Sequence, residues 1–369
     1  MVDRRFRIAV IKGDGIGPTV IDAALEVVDA ARRRLGGFAL DCEFLDAGAA
    51  YFQETGKDIA PGAEDVAANA DAILLGAIGL PSVRHADGTE ISPHLRLRER
   101  FQLYAGVRPV KAYPNTPRRL ADPRAADIDL VVLRESTEGL FYSAAIHGRS
   151  VVIDDVEVRD IMRITRPTTE KLHDFAFRLA RKRRERGGPG RVTCVDKANV
   201  FRSMAFFRRI FDERAARFPD IERAYNYVDA QALDLVRKPW EFDVLVTENM
   251  FGDILSDLGG GLVGGMGIAP CAEVGDEHGL FQPAHGSAPD IVGRDSANPL
   301  AAILSAAMML DYLADRSGVS VLAESARIIE SAVELGFAGR RIRPLEFDGD
   351  QGTTAVAREV VELIKTSTV

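Results

Sequence analysis

Residues 7–35 of the chain read RIAVIKGDGIGPTVIDAALEVVDAARRRL. The first five, Arg7–Ile11, form a short apolar run that predicts a buried strand. A helical pattern follows over Pro18–Leu35, with proline at its start and a Gly-Gly pair after its end, the usual asymmetry of helix punctuation. Between the two, KGDGIGP at Lys12–Pro18 contains glycines that let a backbone approach a ligand or an anion at a helix N-terminus. This stretch predicts a strand–loop–helix unit whose loop meets a ligand.

The same alternation of apolar runs and helical patterns continues along the chain. Further strands are predicted at Ala72–Gly76, Leu130–Arg134, Val192–Val195 and Asp243–Thr247. Further helices are predicted at Thr168–Arg186, Ser203–Phe218, Pro299–Ala314 and Thr354–Lys365. Such alternation is typical of an α/β protein with a substantially parallel sheet. A length of 369 residues suggests two domains. Because no low-complexity linker separates them, we expect the chain to cross between the domains more than once.

The composition excludes several classes of protein. Charged residues make up 28% and hydrophobic residues 46% of the chain, as in an ordinary globular protein. A net charge of −8 argues against a protein that coats nucleic acid. The three cysteines, Cys42, Cys194 and Cys271, are too widely spaced for a disulfide framework or a CxxC metal site. No apolar run approaches the roughly 20 residues that span a bilayer, and no signal peptide is visible. We therefore expect a cytoplasmic protein.

Three arginines are candidates for binding an anion. Arg134 ends a predicted buried strand, where a charge is costly unless it is paired and where the ligand crevices of α/β proteins open. Arg98 and Arg108 precede it in the chain, and each alone could be an ordinary solvated side chain. Guanidinium groups bind carboxylates through two parallel hydrogen bonds, so convergence of the three would indicate a di- or tricarboxylate ligand.

Three aspartates are candidates for binding a metal. FGDILSDL places Asp253 and Asp257 four residues apart, on one face of a predicted helix. Like charges at that spacing destabilise a helix unless something neutralises them. Asp229, at a predicted strand-to-helix turn, is a third carboxylate. Such a set suits Mg²⁺ or Mn²⁺, and an ordinary solvated acidic pair is the alternative.

Of two glycine-containing stretches that bear on a cofactor site, only the first is a candidate. PAHGSAPDIVG, residues 283–293, could surround an adenosine, with Asp290 accepting hydrogen bonds from ribose hydroxyls. A lone His285 is more often an ordinary loop residue. The GxGxxG at Gly259, Gly261 and Gly264 follows a helical run rather than a strand, so it lacks the context of a dinucleotide fingerprint. We predict a closely packed turn there.

Taken together and in this order, GDGIGP, the RP and RE arginine segments, VDKANV, FGDILSDL and HGSAPDI resemble the β-decarboxylating dehydrogenases. That family includes the isopropylmalate, isocitrate, homoisocitrate, tartrate and D-malate dehydrogenases. The resemblance covers essentially the whole chain. It implies an isopropylmalate dehydrogenase-like α/β fold with a large mixed, mostly parallel sheet, which is not a Rossmann fold. The first domain would combine residues 1–103 with 264–369, and the second would span 104–263 and carry the dimer interface.

The resemblance also implies roles for individual residues. The substrate site would comprise Arg98, Arg108 and Arg134, with His94 and Leu95 at the substituent pocket. The metal ligands would be Asp229, Asp253 and Asp257, with Asp229 supplied across the interface of a homodimer. The catalytic base would be Lys197, assisted by Asp229. The cofactor site would comprise Asn199, His285, Gly286, Ser287, Ala288, Asp290, Ile291 and Asn298.

The implied reaction is an NAD- and Mg²⁺- or Mn²⁺-dependent oxidative decarboxylation of a 3-substituted malate, with 3-isopropylmalate as the first choice. NAD is expected because Asp290 would repel a 2′-phosphate and accept a hydrogen bond from a free 2′-hydroxyl. The alternatives are D-malate, tartrate, isocitrate and homoisocitrate. A catalytically weak regulatory subunit of the same fold is the non-enzyme alternative.

Two of the departures from the family pattern bear on the reaction and the substrate. Where the family has a tyrosine that acts as a late general acid, this chain has Phe141, followed by Tyr142. Either Tyr142 supplies the proton, or water or another group does. Isopropylmalate enzymes favour two leucines where this chain has His94 and Leu95, which leaves room for a more polar substituent.

Overall fold

The computed structural model describes residues 4–144, 151–152 and 155–366. The described strands are β1 (Arg4–Ile11), β2 (Phe38–Phe44), β3 (Ala72–Leu75), β4 (Ala105–Lys111), β5 (Asp129–Glu135), β6 (Val151–Val152), β7 (Val158–Arg159), β8 (Arg191–Asp196), β9 (Glu222–Tyr227), β10 (Val244–Thr247), β11 (Pro270–Val274) and β12 (Gly279–Pro283). The described helices are α1 (Gly17–Leu35), α2 (Ala49–Thr55), α3 (Ala63–Ala68), α4 (Pro93–Arg100), α5 (Phe141–Ala144), α6 (Arg166–Glu185), α7 (Arg202–Ala215), α8 (Val228–Arg237), α9 (Asn249–Leu262), α10 (Leu300–Ser317), α11 (Ser320–Ala338) and α12 (Thr353–Thr366).

A single mixed sheet organises the described part of the chain. Its strand order is β2-β1-β3-β12-β11-β4-β5-β10-β8-β9. Six of the nine neighbouring pairs are parallel, and the three antiparallel pairs lie together at the centre, where β12, β11, β4 and β5 meet. The predicted mixed, mostly parallel sheet is confirmed. The strands β6 and β7 form a separate two-stranded ribbon.

The two halves of the sheet come from different parts of the chain. One half holds β1, β2 and β3 together with β11 and β12, so the beginning and the end of the chain share it. The other half holds β4, β5, β8, β9 and β10. The helices α1, α10, α11 and α12 pack against one another beside the first half, and α6 packs on α7 beside the second. One large cluster of buried side chains runs through both halves.

Helix α9 corrects one prediction about glycines. Gly259 and Gly261 lie inside this helix and not in a turn, and Gly264 follows it with φ of 138°. A Cβ on Gly259 would lie 2.7 Å from Cγ2 of Val110, so this glycine allows α9 to pack closely on β4. The predicted close packing is therefore correct, whereas the predicted turn is wrong for the first two glycines. No described helix is long and apolar enough to cross a membrane.

Candidate active site

A cavity of about 290 Å³ brings most of the candidate substrate and metal residues together. It lies beyond the carboxyl ends of β3 and β5, beside α4 and α9. The residues that line it and that matter for its chemistry are His94, Leu95, Arg98, Arg108, Arg134, Phe141, Asp253, Asp257, His285 and Gly286. Nine candidates do not line it, namely Tyr142, Lys197, Asn199, Asp229, Ser287, Ala288, Asp290, Ile291 and Asn298.

Three buried arginines converge on this cavity. Arg98 comes from α4, Arg108 from β4 and Arg134 from the end of β5, and they are 5%, 7% and 2% exposed. Arg134 donates to Asn249 Oδ1 at 2.9 Å, forms an ion pair with Asp253, and lies 4.8 Å above the ring centroid of Phe141. Burial, followed by the charges of Arg108 and Arg98, lowers the pKa of Arg134 to about 10. Arg134 is therefore still cationic at neutral pH.

A buried glutamate that sequence reasoning missed lies beside these arginines. Glu273 Oε1 is 2.8 Å from Arg98 Nη2 and 3.6 Å from Arg108 Nη2. Burial by itself would raise the pKa of Glu273, but the charges of Arg98, Arg108 and Arg134 outweigh burial and lower it. The sequence contains a signal for this residue, because a lone carboxylate in the apolar strand PCAEV is costly to bury unless it is paired.

His94 adds an uncharged polar group to the same wall of the cavity. Burial and the charges of Arg98, Arg134 and Arg108 lower the pKa of His94 to about 3, so the imidazole is neutral at neutral pH. Its Nδ1 is buried and has no hydrogen-bond partner among the described residues. Next to it, Leu95 contributes an apolar surface. The two residues therefore give the cavity a mixed polar and apolar wall.

The acidic pair lies on one face of α9, as predicted. Glu248 begins this helix by accepting a hydrogen bond from the backbone N–H of Phe251 at 2.7 Å. Gly252 lets the helix approach β5, because a Cβ there would lie 2.7 Å from Cβ of Arg134. Burial and the neighbouring Asp253 raise the pKa of Asp257. Within residues 4–144, 151–152 and 155–366, no three His, Cys, Asp or Glu side chains are close enough to hold a metal ion. The chain thus brings two carboxylates to the cavity and leaves Asp229 elsewhere.

Lys197 and Asp229 form a separate pair on the outer strands. Lys197 follows β8, and Asp229 lies in the first turn of α8, directly after β9. Lys197 Nζ donates to Asp229, and this hydrogen bond lowers the pKa of Asp229. The side chains are 23% and 67% exposed. Since β8 is two strands from β5, the backbone at Lys197 lies roughly 10 Å across the sheet from the end of β5. Asn199 is exposed in the turn that follows Lys197.

Phe141 and Tyr142 have different surroundings. Phe141 lines the cavity under the guanidinium group of Arg134. The ring of Tyr142 instead lies 4.5 Å from Cζ of Arg163 and is half-buried. Phe141, which has no hydroxyl group, therefore lines the cavity, whereas Tyr142 does not.

The glycine loop between β1 and α1 makes its close approach to the protein's own backbone. A Cβ on Gly15 would lie 2.0 Å from Ser287 O, and Ile16 N donates to that same oxygen at 2.9 Å. The buried Asp14 carboxylate accepts hydrogen bonds from the backbone N–H groups of Ala49, Ala50 and Gly79. The loop thereby joins the start of α2, the segment after β3 and the predicted adenosine loop. The structure shows this connecting role, and the approach of the loop to an anion or a ligand stays a prediction.

The predicted adenosine loop starts at the cavity and continues along the surface. His285 and Gly286 line the cavity, whereas Asp290 is exposed in a short 3₁₀ turn, Pro289–Ile291. Ala288 precedes this turn in the left-handed region, with φ of 39°. Asn298 is buried, and its Nδ2 donates to Glu346 Oε2 at 2.9 Å. Its Oδ1 accepts from Leu300 N at 3.2 Å, at the start of α10.

Comparison with known proteins agrees with this architecture. A family model described as isocitrate/isopropylmalate dehydrogenase matches residues 7–364. The chain is 39% identical over 360 residues to the 3-isopropylmalate/3-methylmalate dehydrogenase of Methanocaldococcus jannaschii, covering 97% of this chain and 99% of that protein. It is 36% identical over 374 residues to the 3-isopropylmalate dehydrogenase of Escherichia coli, covering 98% of this chain and 100% of that protein.

Solved structures are similar over the same length. The isocitrate dehydrogenase from Methylococcus capsulatus matches with a TM-score of 0.84 and 33% identity, covering 98% of this chain and 100% of that one. A β-decarboxylating dehydrogenase from Thermococcus kodakarensis matches with a TM-score of 0.77 and 36% identity, covering 98% of this chain and 96% of that one.

Proposed function

The chain belongs to the isocitrate/isopropylmalate dehydrogenase family of decarboxylating oxidoreductases, and from this premise we propose that it catalyses the NAD-dependent oxidative decarboxylation of 3-isopropylmalate. The observation that carries the proposal is the cavity, in which three buried arginines lie beside two helix aspartates. Cationic guanidinium groups bind the carboxylates of a malate, and aspartate oxygens suit a hard divalent cation. The names of the relatives select 3-isopropylmalate among the substituted malates.

The residues present fit a divalent cation and NAD. Asp253 and Asp257 would provide oxygen ligands, and a bound cation would offset both the burial and the repulsion from Asp253 that raise the pKa of Asp257. The exposed carboxylate of Asp290 disfavours the 2′-phosphate of NADP, so NAD is the proposed cofactor. The proposed nicotinamide and adenosine contacts are Asn199, His285, Gly286, Ser287, Ala288, Asp290, Ile291 and Asn298. When bound, Mg²⁺ or Mn²⁺ would polarise the substrate hydroxyl and stabilise the charge that develops on loss of CO₂, and NAD would accept the hydride.

The chain's own residues perform the remaining steps. Arg98, Arg108 and Arg134 orient the two carboxylates of the malate through charge-assisted hydrogen bonds. Lys197, oriented by its hydrogen bond to Asp229, takes the proton of the C2 hydroxyl as general base. After decarboxylation, the enol carbon needs a proton. Tyr142 and water are the candidate donors, and water is favoured because Phe141 lines the cavity while Tyr142 packs on Arg163.

The separation of Lys197 and Asp229 from the cavity supports a homodimer with shared sites. A two-fold dimer would bring the pair of one copy to the cavity of the other, where Asp229 would join Asp253 and Asp257 as the third metal ligand. Exposed apolar side chains on the same elements, Leu233 and Val236 on α8 and Ile254 on α9, provide a surface for such contact.

The domain division and the compartment remain proposals. The sheet order supports a first domain of residues 1–103 with 264–369 and a second of 104–263, since each set contributes neighbouring strands to one half of the sheet. The three cysteines are unpaired, which suits the reducing cytoplasm.

A second candidate function is the oxidation of D-malate or tartrate. It is favoured by Nδ1 of His94, which is without a partner in the described part of the chain and could hydrogen-bond a hydroxyl substituent but gains nothing from an isopropyl group. A regulatory subunit without catalysis is opposed by the retention of Lys197 and of the complete arginine and aspartate sets.

A substrate panel tests the proposal. NADH formation is measured with 3-isopropylmalate, 3-methylmalate, D-malate, tartrate and isocitrate, each with and without EDTA. We expect the highest kcat/KM with 3-isopropylmalate and no turnover in EDTA. His94→Leu serves as the matched variant and should raise the preference for 3-isopropylmalate over D-malate by roughly tenfold. A wild-type preference for D-malate or tartrate would establish the second candidate, and ligand binding without any turnover would establish the regulatory one.

A further inference from the structure

Glu273 lies behind two of the arginines, and the proposed reaction does not use it. Its carboxylate is fully buried and pairs with Nη2 of Arg98 at 2.8 Å and Nη2 of Arg108 at 3.6 Å. Both arginines line the cavity, but Glu273 does not. The Nε atoms of Arg98 and Arg108 are buried and have no hydrogen-bond partner among the described residues. Glu273 thus contacts both guanidinium groups from outside the cavity.

The strand register explains how a carboxylate fits at this position. Glu273 on β11 is opposite Gly106 on β4, and Gly106 is opposite Arg134 on β5. Paired residues project from the same face of a sheet, so Glu273 and Arg134 flank a position without a side chain. A Cβ on Gly106 would lie 2.9 Å from Oε2 of Glu273 and 2.6 Å from Oγ of Ser136. Gly106 therefore provides the space that the carboxylate occupies.

We infer that Glu273 is a positioning residue that determines which ligand charge the cavity prefers. It holds Arg98 and Arg108 in place and makes the cavity prefer a dicarboxylate over a tricarboxylate. The inference rests on the proposed function in one respect, namely that a malate-type acid occupies the cavity. The negative charge of Glu273 offsets part of the positive charge of the arginines, whatever the contribution of the other groups in the cavity. It therefore weakens the binding of a trianion such as isocitrate more than that of a dianion such as 3-isopropylmalate, whose 3-substituent is uncharged.

The size of the effect follows from Coulomb's law. A unit charge about 6 Å from a ligand charge, at an effective dielectric constant of about 20, changes affinity by up to roughly a hundredfold. Solvent and ions in the cavity reduce this, so we expect a change of about tenfold in the preference between a trianion and a dianion. The neighbouring arginines keep the carboxylate charged, since they lower the pKa of Glu273 despite its burial.

The test compares full-length wild-type protein with Glu273→Gln, which removes the charge but keeps the shape. Dissociation constants for isocitrate and 3-isopropylmalate are measured by calorimetry with Mg²⁺ and without NAD, and kcat/KM is measured with NAD. We expect the preference for isocitrate relative to 3-isopropylmalate to rise about tenfold in Glu273→Gln. Glu273→Asp, which restores the charge, should return most of the wild-type preference.

The matched control is Asp243→Asn. Asp243 is another buried carboxylate paired with an arginine, at 2.6 Å from Arg183 Nε, but it lies at the opposite end of β10 from the cavity. Its loss should lower Tm without changing the preference between the two acids. A merely structural Glu273 would behave in the same way as Asp243.

Three outcomes decide the inference. An unchanged preference in folded Glu273→Gln overturns it. If Glu273→Gln does not fold, Glu273→Ser removes the charge with a smaller side chain and is judged by the same ratio. If the wild-type protein turns over neither acid while the ratio of dissociation constants shifts in the variant, the proposed function fails and the role of Glu273 stands.

Discussion

The arginine-lined cavity and the Lys197–Asp229 pair differ in how completely a single chain builds them. The arginines are at most 7% exposed, they are held by Asn249, Asp253 and Glu273, and they surround one cavity. The Lys197–Asp229 pair has side chains 23% and 67% exposed and lies outside that cavity.

This difference distinguishes carboxylate binding by the buried arginines from the proposed proton transfer by the exposed Lys197–Asp229 pair. The buried part is organised before any ligand arrives, so it can bind carboxylates without a partner. The exposed part has its internal hydrogen bond and does not line the arginine-lined cavity. It meets such a cavity, in the proposed dimer, only when a second copy covers it.

The largest expected effect comes from the buried part. Asp253→Asn should reduce metal-dependent turnover by roughly a thousandfold or more, because it removes a proposed ligand of the cation that stabilises the developing charge. The fold should remain intact, since the lost ion pair of Asp253 with Arg134 is offset by the removal of the repulsion between Asp253 and Asp257, and Arg134 keeps its hydrogen bond to Asn249. Steady-state NADH formation at saturating Mg²⁺ measures this, and Glu324→Gln, an exposed carboxylate on α11, is the control. Full activity in Asp253→Asn would refute the metal assignment.

A smaller effect on turnover is expected from a change at Tyr142. Tyr142→Phe should leave kcat within about threefold of wild type, because Tyr142 packs on Arg163 and does not line the cavity. A loss on the order of a hundredfold, with hydride transfer preserved in a single turnover, would instead assign the late proton to Tyr142.

Much of the fold was predictable from local pattern. The predicted helix Pro18–Leu35 is observed as Gly17–Leu35, and the predicted strand Leu130–Arg134 as Asp129–Glu135. The antiparallel centre of the sheet was not predicted, because strand direction depends on pairing between distant segments. Helix α11 was also missed, although its apolar face is buried.

The site was predictable where a residue's chemistry is unusual for its local setting. Arg134 at the end of a buried strand and the spacing of Asp253 and Asp257 both pointed to the cavity. Glu273 was missed because its meaning depends on Arg98 and Arg108, which lie far from it in sequence and meet it only in the folded chain. The separation of Lys197 from the cavity likewise depends on strand order.

The smallest expected effect concerns stability and separates buried from exposed titratable groups. Burial, with a contribution from Arg214, lowers the pKa of His173 to about 3, and its ring lies edge-on to Phe207 and Phe211. Between the unfolded pKa of about 6.5 and pH 3, only the unfolded chain binds this proton, so stability is lost as pH falls. His173→Leu should reduce the loss between pH 7.5 and pH 5 by about 2 kcal/mol.

Chemical denaturation at the two pH values measures this difference. Asp229→Asn is the exposed comparison. Since the pKa of Asp229 is already lowered by Lys197, Asp229 stays ionised over the same interval and its removal should not change the pH dependence. An equal change in both variants would contradict the assignment of the pH dependence to the buried histidine.

The central claim is that one active site is built from two copies of the chain, and mixed dimers test it most directly. Lys197→Met and Asp253→Asn are each expected to be inactive alone. After random reassembly, half of the dimers would be mixed, and each mixed dimer would combine one intact site with one doubly defective site. The account predicts that activity returns to about a quarter of the wild-type value. Activity that stays at the level of the two parent variants would show that Lys197 and Asp253 serve the same cavity within a single chain.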